Sequence, residues 1–205
     1  MVSPAVIESL PNDPKELKLG GQRQDITVLY ADIRGFTTYS EKLDPAELLD
    51  ILNKYLGLAA EAVLLQEGTL DKFMGDMVMA IFNAPLPQSD HTLRAVRAAL
   101  GMRADIEAYR QTAAPGRRLA FGIGINVGDA VVGMVGTRMR LDYSAIGDTV
   151  NVGKRIQENA RPDQILLSDT AYERVRDHVQ VNALPPLKVK GRQQPVPVYE
   201  LLSML

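Results

Sequence analysis

The alternation of apolar and polar positions divides this chain into short strands and two long helices. Residues 25–32 (DITVLYAD) are apolar enough for a central strand, and the run ends on Asp32. Asp44, Pro45 and Glu47 then stand in the order of a helix start: a cap, a proline at the first position and a glutamate three residues after the cap. Leu48, Ile51, Leu52, Tyr55, Leu58 and Ala59 recur at helical spacing and predict a helix to about Gln66. Two strand-like runs, 69–73 and 77–82, flank Gly75-Asp76 and predict a hairpin with Asp76 at its tip. Gly-Asp is not the favoured turn order, so something other than turn propensity keeps it there. Pro85 and Pro87 break the chain, and Asp90 caps a second helix to about Tyr109, with Ala95, Ala98, Ala99, Met102 and Ile106 inward. Beyond it, 118–127 predicts a strand, Gly128-Asp129 a turn and 130–135 a returning strand. A strand over 141–146, a helix over about 149–159, a short strand at 164–167 and a short helix opened by Ser168 follow. The last stretch reads as strands around Pro185-Pro186 and Gly191.

The opening order, β-α-β-β-α-β, is that of the ferredoxin-like fold. The predicted class is therefore α+β, a ferredoxin-like βαββαβ core with a C-terminal αβ extension. Residues 1–22 hold three prolines and Gly20-Gly21 and read as a linker; 23–205 read as one domain.

Composition mainly excludes. The 205 residues are 46% hydrophobic, enough for a sizeable core. A net charge of −2 supplies no global field for nucleic acid or an anionic membrane. Cysteine is absent, which removes disulfides and thiolate metal sites. With only His91 and His178, a histidine metal centre or a Ser-His-Asp triad is poorly supplied. His91 reads as a surface residue at a helix start and His178 as one before a strand. No apolar run approaches the length of a membrane span and no signal peptide is visible, so the expected setting is the cytoplasm.

The candidate chemistry lies in carboxylates. Asp32 and Asp76 each end or interrupt a strand beside a glycine, and Lys72 stands four residues before Asp76. A lone aspartate there is usually a cap or turn former. Two carboxylates with a cation are the minimum for holding a metal-bound nucleoside triphosphate. Gly35 lets the backbone approach a ligand, and the amides that follow can meet phosphate. Asn151 and Arg155 are four apart and share a helix face. Gly153 between them costs the helix roughly 1 kcal/mol relative to Ala, which favours close packing or a ligand at that point. Lys188, Lys190 and Arg192 make a basic loop around Gly191.

Five blocks in order carry a resemblance: YADIRGFT (30–37), GTLDKFMGDMVMAIF (68–82), GIGINVGDAVVGMVG (122–136), YSAIGDTVNVGKR (143–155) and KVKGRQQPVPVYEL (188–201). From about Asp25 to Leu201 the chain resembles the catalytic domain of class III nucleotidyl cyclases. The resemblance implies conversion of a nucleoside triphosphate to a 3′,5′-cyclic monophosphate and pyrophosphate, at sites between two domains arranged head to tail. It implies Asp32, Asp76 and the Ile33 carbonyl as ligands of two Mg²⁺ or Mn²⁺, and the amides of Phe36 and Thr37 as phosphate contacts. From the facing chain it implies Lys72 and Ser144 as the purine readers. Asn151 is implied to orient the ribose, Arg155 to stabilise the transition state, and Lys190 to reach the terminal phosphates; an arginine within 138–140 matches a further phosphate contact.

Lys72 donates only, so ATP is the expected substrate; guanylyl cyclases usually carry Glu and Cys at the two purine positions. Ser144 resembles the branch that contains bicarbonate-responsive cyclases, which makes bicarbonate an expected regulator. With every site residue in one chain, a symmetric homodimer follows. Sensor domains commonly precede this domain in the family. The sequence departs from the pattern at Glu67, where a glycine is common, and at Gly153, where Ala is common. Three rivals are weaker. A diguanylate cyclase needs a GGDEF-like hairpin, a regulatory nucleotide-binding module usually lacks a metal aspartate or the arginine, and Lys72 opposes a guanylyl cyclase.

Overall fold

A computed structural model describes residues 20–41, 43–137, 139–188 and 195–205. Among these, β1 (Gly20–Ile33) is the central strand. It runs antiparallel to β3 (Met77–Phe82) on one side and to β4 (Phe121–Thr137) on the other. β2 (Thr69–Met74) pairs with β3 as the predicted hairpin, and the order across the core is β2-β3-β1-β4. This is the βαββαβ core, completed by α2 (Pro45–Leu65) and α3 (His91–Thr112), after a one-turn helix α1 (Phe36–Ser40). The single sheet continues from β4 through β6 (Ile165–Ser168) and β8 (Val196–Met204) to β7 (Val179–Leu187).

From Ile26 onward β1 is buried on both faces, which is why 26–33 is a nearly unbroken apolar run, whereas its first six residues are polar or glycine and more exposed. Leu29, Ala31 and Ile33 face α2 and α3, where Ile51, Tyr55, Val63, Ala95, Met102 and Ile106 complete the main core. Ile26, Val28 and Tyr30 point to the other face, with Met79 and Ile81 of β3. That face is covered by the hairpin of β4 with β5 (Arg140–Ile146), through Ala130, Val132 and Ala145. It is also covered by α4 (Asp148–Glu158), whose Gly153 lies so close that a Cβ there would stand 2.6 Å from Val28 Cγ2. The close packing expected at Gly153 is therefore present. A last helix, α5 (Asp169–Val175), is capped by Ser168 Oγ, which accepts from the Ala171 amide at 3.1 Å.

Several boundaries differ from expectation for identifiable reasons. Residues 20–22 are in the sheet, with Gly20 opposite Met134 and Gln22 opposite Val132, so the expected linker does not extend to residue 22. Gly128-Asp129 does not turn: both residues pair with β1 within one continuous strand, opposite Ile26 and Asp25. The long register with β1 outweighs the local turn signal. Asp44 caps α2 as predicted, its Oδ1 accepting from the amides of Ala46 (2.9 Å) and Glu47 (3.4 Å). Asp90 occupies the cap position of α3, but its carboxylate accepts from Arg94 Nε at 2.6 Å instead of from the helix amides.

His91 is buried rather than superficial, because the start of α3 is tucked against β1 and α5. His91 Nδ1 shares a hydrogen bond with Thr27 Oγ1 at 2.7 Å, and Nε2 lies 3.1 Å from Arg174 Nη1 and 3.4 Å from Asp25 Oδ2. Pro185 and Pro186 fall in β7 at an edge, where the pairing register shifts and a missing amide is tolerated. Gly191 lies outside the described residues. No helix among those described is long and apolar enough to cross a membrane.

Candidate active site

β1 and the β2–β3 hairpin bring the two aspartates together. Asp32 stands opposite Met77, the residue after Asp76, and the Ile33 amide donates to the Asp76 carbonyl at 3.4 Å. The odd turn order now has a reason: Gly75 takes φ 65°, which a glycine adopts freely, and leaves the next position to an acidic side chain beside Asp32. Burial first, and then the Asp76 charge, push the Asp32 carboxyl above the usual carboxylate range. Arg34, 3.7 Å from Asp32, with the Gln157 amide and Lys154, opposes that shift only in part. Gly35 also has a positive φ (73°) and precedes Phe36 and Thr37, which begin α1. No group of three or more histidine, cysteine, aspartate or glutamate side chains suited to a metal occurs among the described residues; the pair with nearby backbone oxygen is the acidic feature here.

Lys72 and Ser144 also meet. The β4–β5 hairpin lies across the sheet face and carries Ser144 to the β2 edge, where Lys72 Nζ donates to Ser144 Oγ at 3.0 Å. Sequence reasoning missed a third member, Asp71. The β2–β3 register shifts between Leu70 and Lys72, so Asp71 is the extra residue of a bulge. Its carboxylate accepts from the Ser144 hydroxyl at 2.6 Å and lies 3.1 Å from Lys72 Nζ. Burial pushes its carboxyl above the usual range, and the Ser144 and Lys72 interactions pull it back.

Asn151 and Arg155 sit one turn apart on α4, Asn151 exposed and Arg155 half-buried. Val152, Gly153, Ile156 and Gln157 are the buried residues of that helix, so Asn151 and Arg155 lie on its outward side. Lys190 lies outside the described residues, as do Arg138 and the side chain of Arg140. Arg34 and Gln157 were also missed: the Arg34 guanidinium donates to the Gln157 carbonyl across Gly122, where any larger residue would collide with it. Only a sheet register linking 34, 122 and 157 could have signalled that contact.

The chain matches the model of the adenylate and guanylate cyclase catalytic domain over residues 20–203, and it belongs to that family. It is 37% identical over 190 residues to adenylate cyclase 1 of Rhizobium meliloti, a match covering 89% of this chain and 28% of that protein. The terminal-differentiation adenylate cyclase of Dictyostelium discoideum is 33% identical, with 88% of this chain and 9% of that protein covered. The chain thus spans less than a third of either relative. Among solved structures, the adenylyl cyclase CyaB of P. aeruginosa superposes with TM-score 0.85 at 35% identity, covering 90% of this chain and 97% of that one. The guanylyl cyclase Cya2 superposes with TM-score 0.86 at 37% identity, covering 91% and 95%.

Proposed function

We propose that this chain is the catalytic domain of an adenylyl cyclase, converting ATP to 3′,5′-cyclic AMP and pyrophosphate at sites shared by two head-to-tail copies. The choice of ATP rests on one observation, the ammonium of Lys72 held against Ser144 at 3.0 Å. An ammonium only donates, so it matches the acceptor N1 of adenine and opposes the N1–H of guanine. The similarity to Cya2 favours GTP instead; the donor at position 72 weighs against it.

Asp32, Asp76 and the Ile33 carbonyl would hold two Mg²⁺ or Mn²⁺. Hard oxygen donors suit these cations, and a cation would offset both the burial and the Asp76 charge that raise the Asp32 carboxyl. Such ions, when bound, ease deprotonation of the ribose 3′-hydroxyl and offset charge on the phosphate oxygens. The chain's own residues do the rest. Amides of Phe36 and Thr37 hold phosphate oxygens, and Lys190 binds the terminal phosphates. Lys72 and Ser144 fix the base, and Asn151 orients the ribose. The 3′-oxygen bonds to the α-phosphorus as the bond to pyrophosphate breaks. Arg155, planar and permanently charged, meets the negative charge that grows there.

Asn151 and Arg155 face outward from their own sheet, which suits donation to a second copy. The short span of the relatives covered by this chain leaves room for sensor or regulatory domains in a longer protein. Bicarbonate is a further expected regulator through the Ser144 branch, and a titration at fixed pH tests it. The deciding assay incubates the protein with ATP or GTP plus Mn²⁺ and resolves the products by chromatography. Cyclic AMP is expected. Cyclic GMP as the main product, or no cyclic product, would overturn this reading.

A further inference from the structure

We propose that Asp71 makes the domain select ATP over GTP by fixing the direction of the Ser144 hydroxyl, as a positioning residue behind the two base readers. The inference rests on the reading of Lys72 and Ser144 as purine contacts. In a regular strand Asp71 and Lys72 would point to opposite faces. The bulge at Asp71 removes that alternation, and both side chains reach Ser144. The Asp71 side chain has 0% exposure and Ser144 only 4%, so no solvent competes for their hydrogen bond.

The donor count then decides what a base would meet. A serine hydroxyl has one proton and two lone pairs. An ionised carboxylate cannot donate, so the Ser144 proton goes to Asp71 Oδ2 at 2.6 Å. Lys72 occupies one lone pair of Ser144 Oγ at 3.0 Å. The remaining lone pair makes Ser144 an acceptor toward any ligand. Lys72 directs one N–H at Ser144 and stands 3.1 Å from Asp71 Oδ1 as an ion pair; with three N–H groups it keeps at least one as a donor. The cluster therefore offers a donor beside an acceptor. Adenine presents the complement, an acceptor at N1 and an amino donor at C6. Guanine presents N1–H and O6, and each would meet its own kind. Were Asp71 not an anion, the Ser144 hydroxyl could turn its proton outward and greet O6.

The test replaces Asp71 by its isostere. In Asp71→Asn the amide donates to Ser144 and releases the hydroxyl proton toward the base. Measured on the purified chain, kcat/KM for ATP divided by that for GTP should fall at least about tenfold. In a Ser144→Ala background the same substitution should leave the ratio unchanged, because Asp71 acts through the hydroxyl. Equal losses with both nucleotides would mean a packing role only and overturn the proposal. A second measurement needs no variant. The triphosphate of purine riboside, which lacks the 6-amino group, should be cyclised by the wild-type protein with kcat/KM at least about tenfold below ATP. Equal values would overturn the proposal even if Asp71→Asn fails to fold. No cyclic product from any triphosphate would overturn the enzymatic reading as well. Cyclisation of ATP with an unchanged ratio in Asp71→Asn would overturn the role of Asp71 alone.

Discussion

Asp32 is the residue at which folding and the proposed chemistry oppose each other. Its carboxyl is raised by burial and by the Asp76 charge, so the folded chain holds that proton more tightly than the unfolded chain does. Such a group contributes stability below the ordinary carboxylate value of 3.8, and the contribution is lost as pH rises through the raised value. In metal-free buffer at neutral pH, Asp32→Asn should therefore raise the melting temperature, and the gain should vanish as pH falls toward 4. Added Mn²⁺ should raise the melting temperature of the wild type more than that of the variant. Calorimetry across pH with and without the ion checks both halves. A variant that melts below the wild type in metal-free buffer would show that Asp32 is instead paired favourably.

Among the elements, α4 and α3 tolerate side chains in opposite ways. Gly124 of β4 lies under α4, and a Cβ there would meet the backbone of Gln157, which cannot swing aside. Gly124→Ala should cost roughly 1–3 kcal/mol by overpacking and push α4 from the sheet. Gly101, inside α3, has nothing within 4 Å of its would-be Cβ. Gly101→Ala should stabilise the fold by about 0.5–1 kcal/mol, since a helix interior favours Ala. Urea unfolding of the two variants measures this contrast. Activity should fall in Gly124→Ala, because α4 carries Asn151 and Arg155.

For the whole molecule, the question is where one site ends and its neighbour begins. Asp32 and Asp76 are brought together by one sheet, whereas Asn151 and Arg155 are on the outward side of α4. If two copies share each site, Asp32→Ala and Arg155→Ala chains should each lose about 10²-fold or more in kcat. Mixing them should restore activity, because one of the two sites in a mixed dimer is then intact. Activity assays with dimer content checked by light scattering decide the matter; confirmed mixed dimers without restored activity would contradict a shared site.

What the sequence determined by itself was whatever local patterns encode. Period-two and period-3.6 runs marked β1, the hairpin, α2 and α3, and the Gly75-Asp76 order marked the carboxylate tip. The spacing of Asn151 and Arg155 placed them on one helix face, and the ordered motifs carried the family. Pairing over long separations was decided only in the tertiary structure. The register of β1 with β4 kept Gly128-Asp129 in a strand and drew residues 20–22 into the sheet. The packing of α3 buried His91. The bulge at Asp71 turned two neighbouring side chains to one side, and the β4–β5 hairpin brought Ser144 to them across 73 residues of chain. Strand alternation predicts the opposite for Asp71 and Lys72, and only contact with a distant strand could reveal the exception.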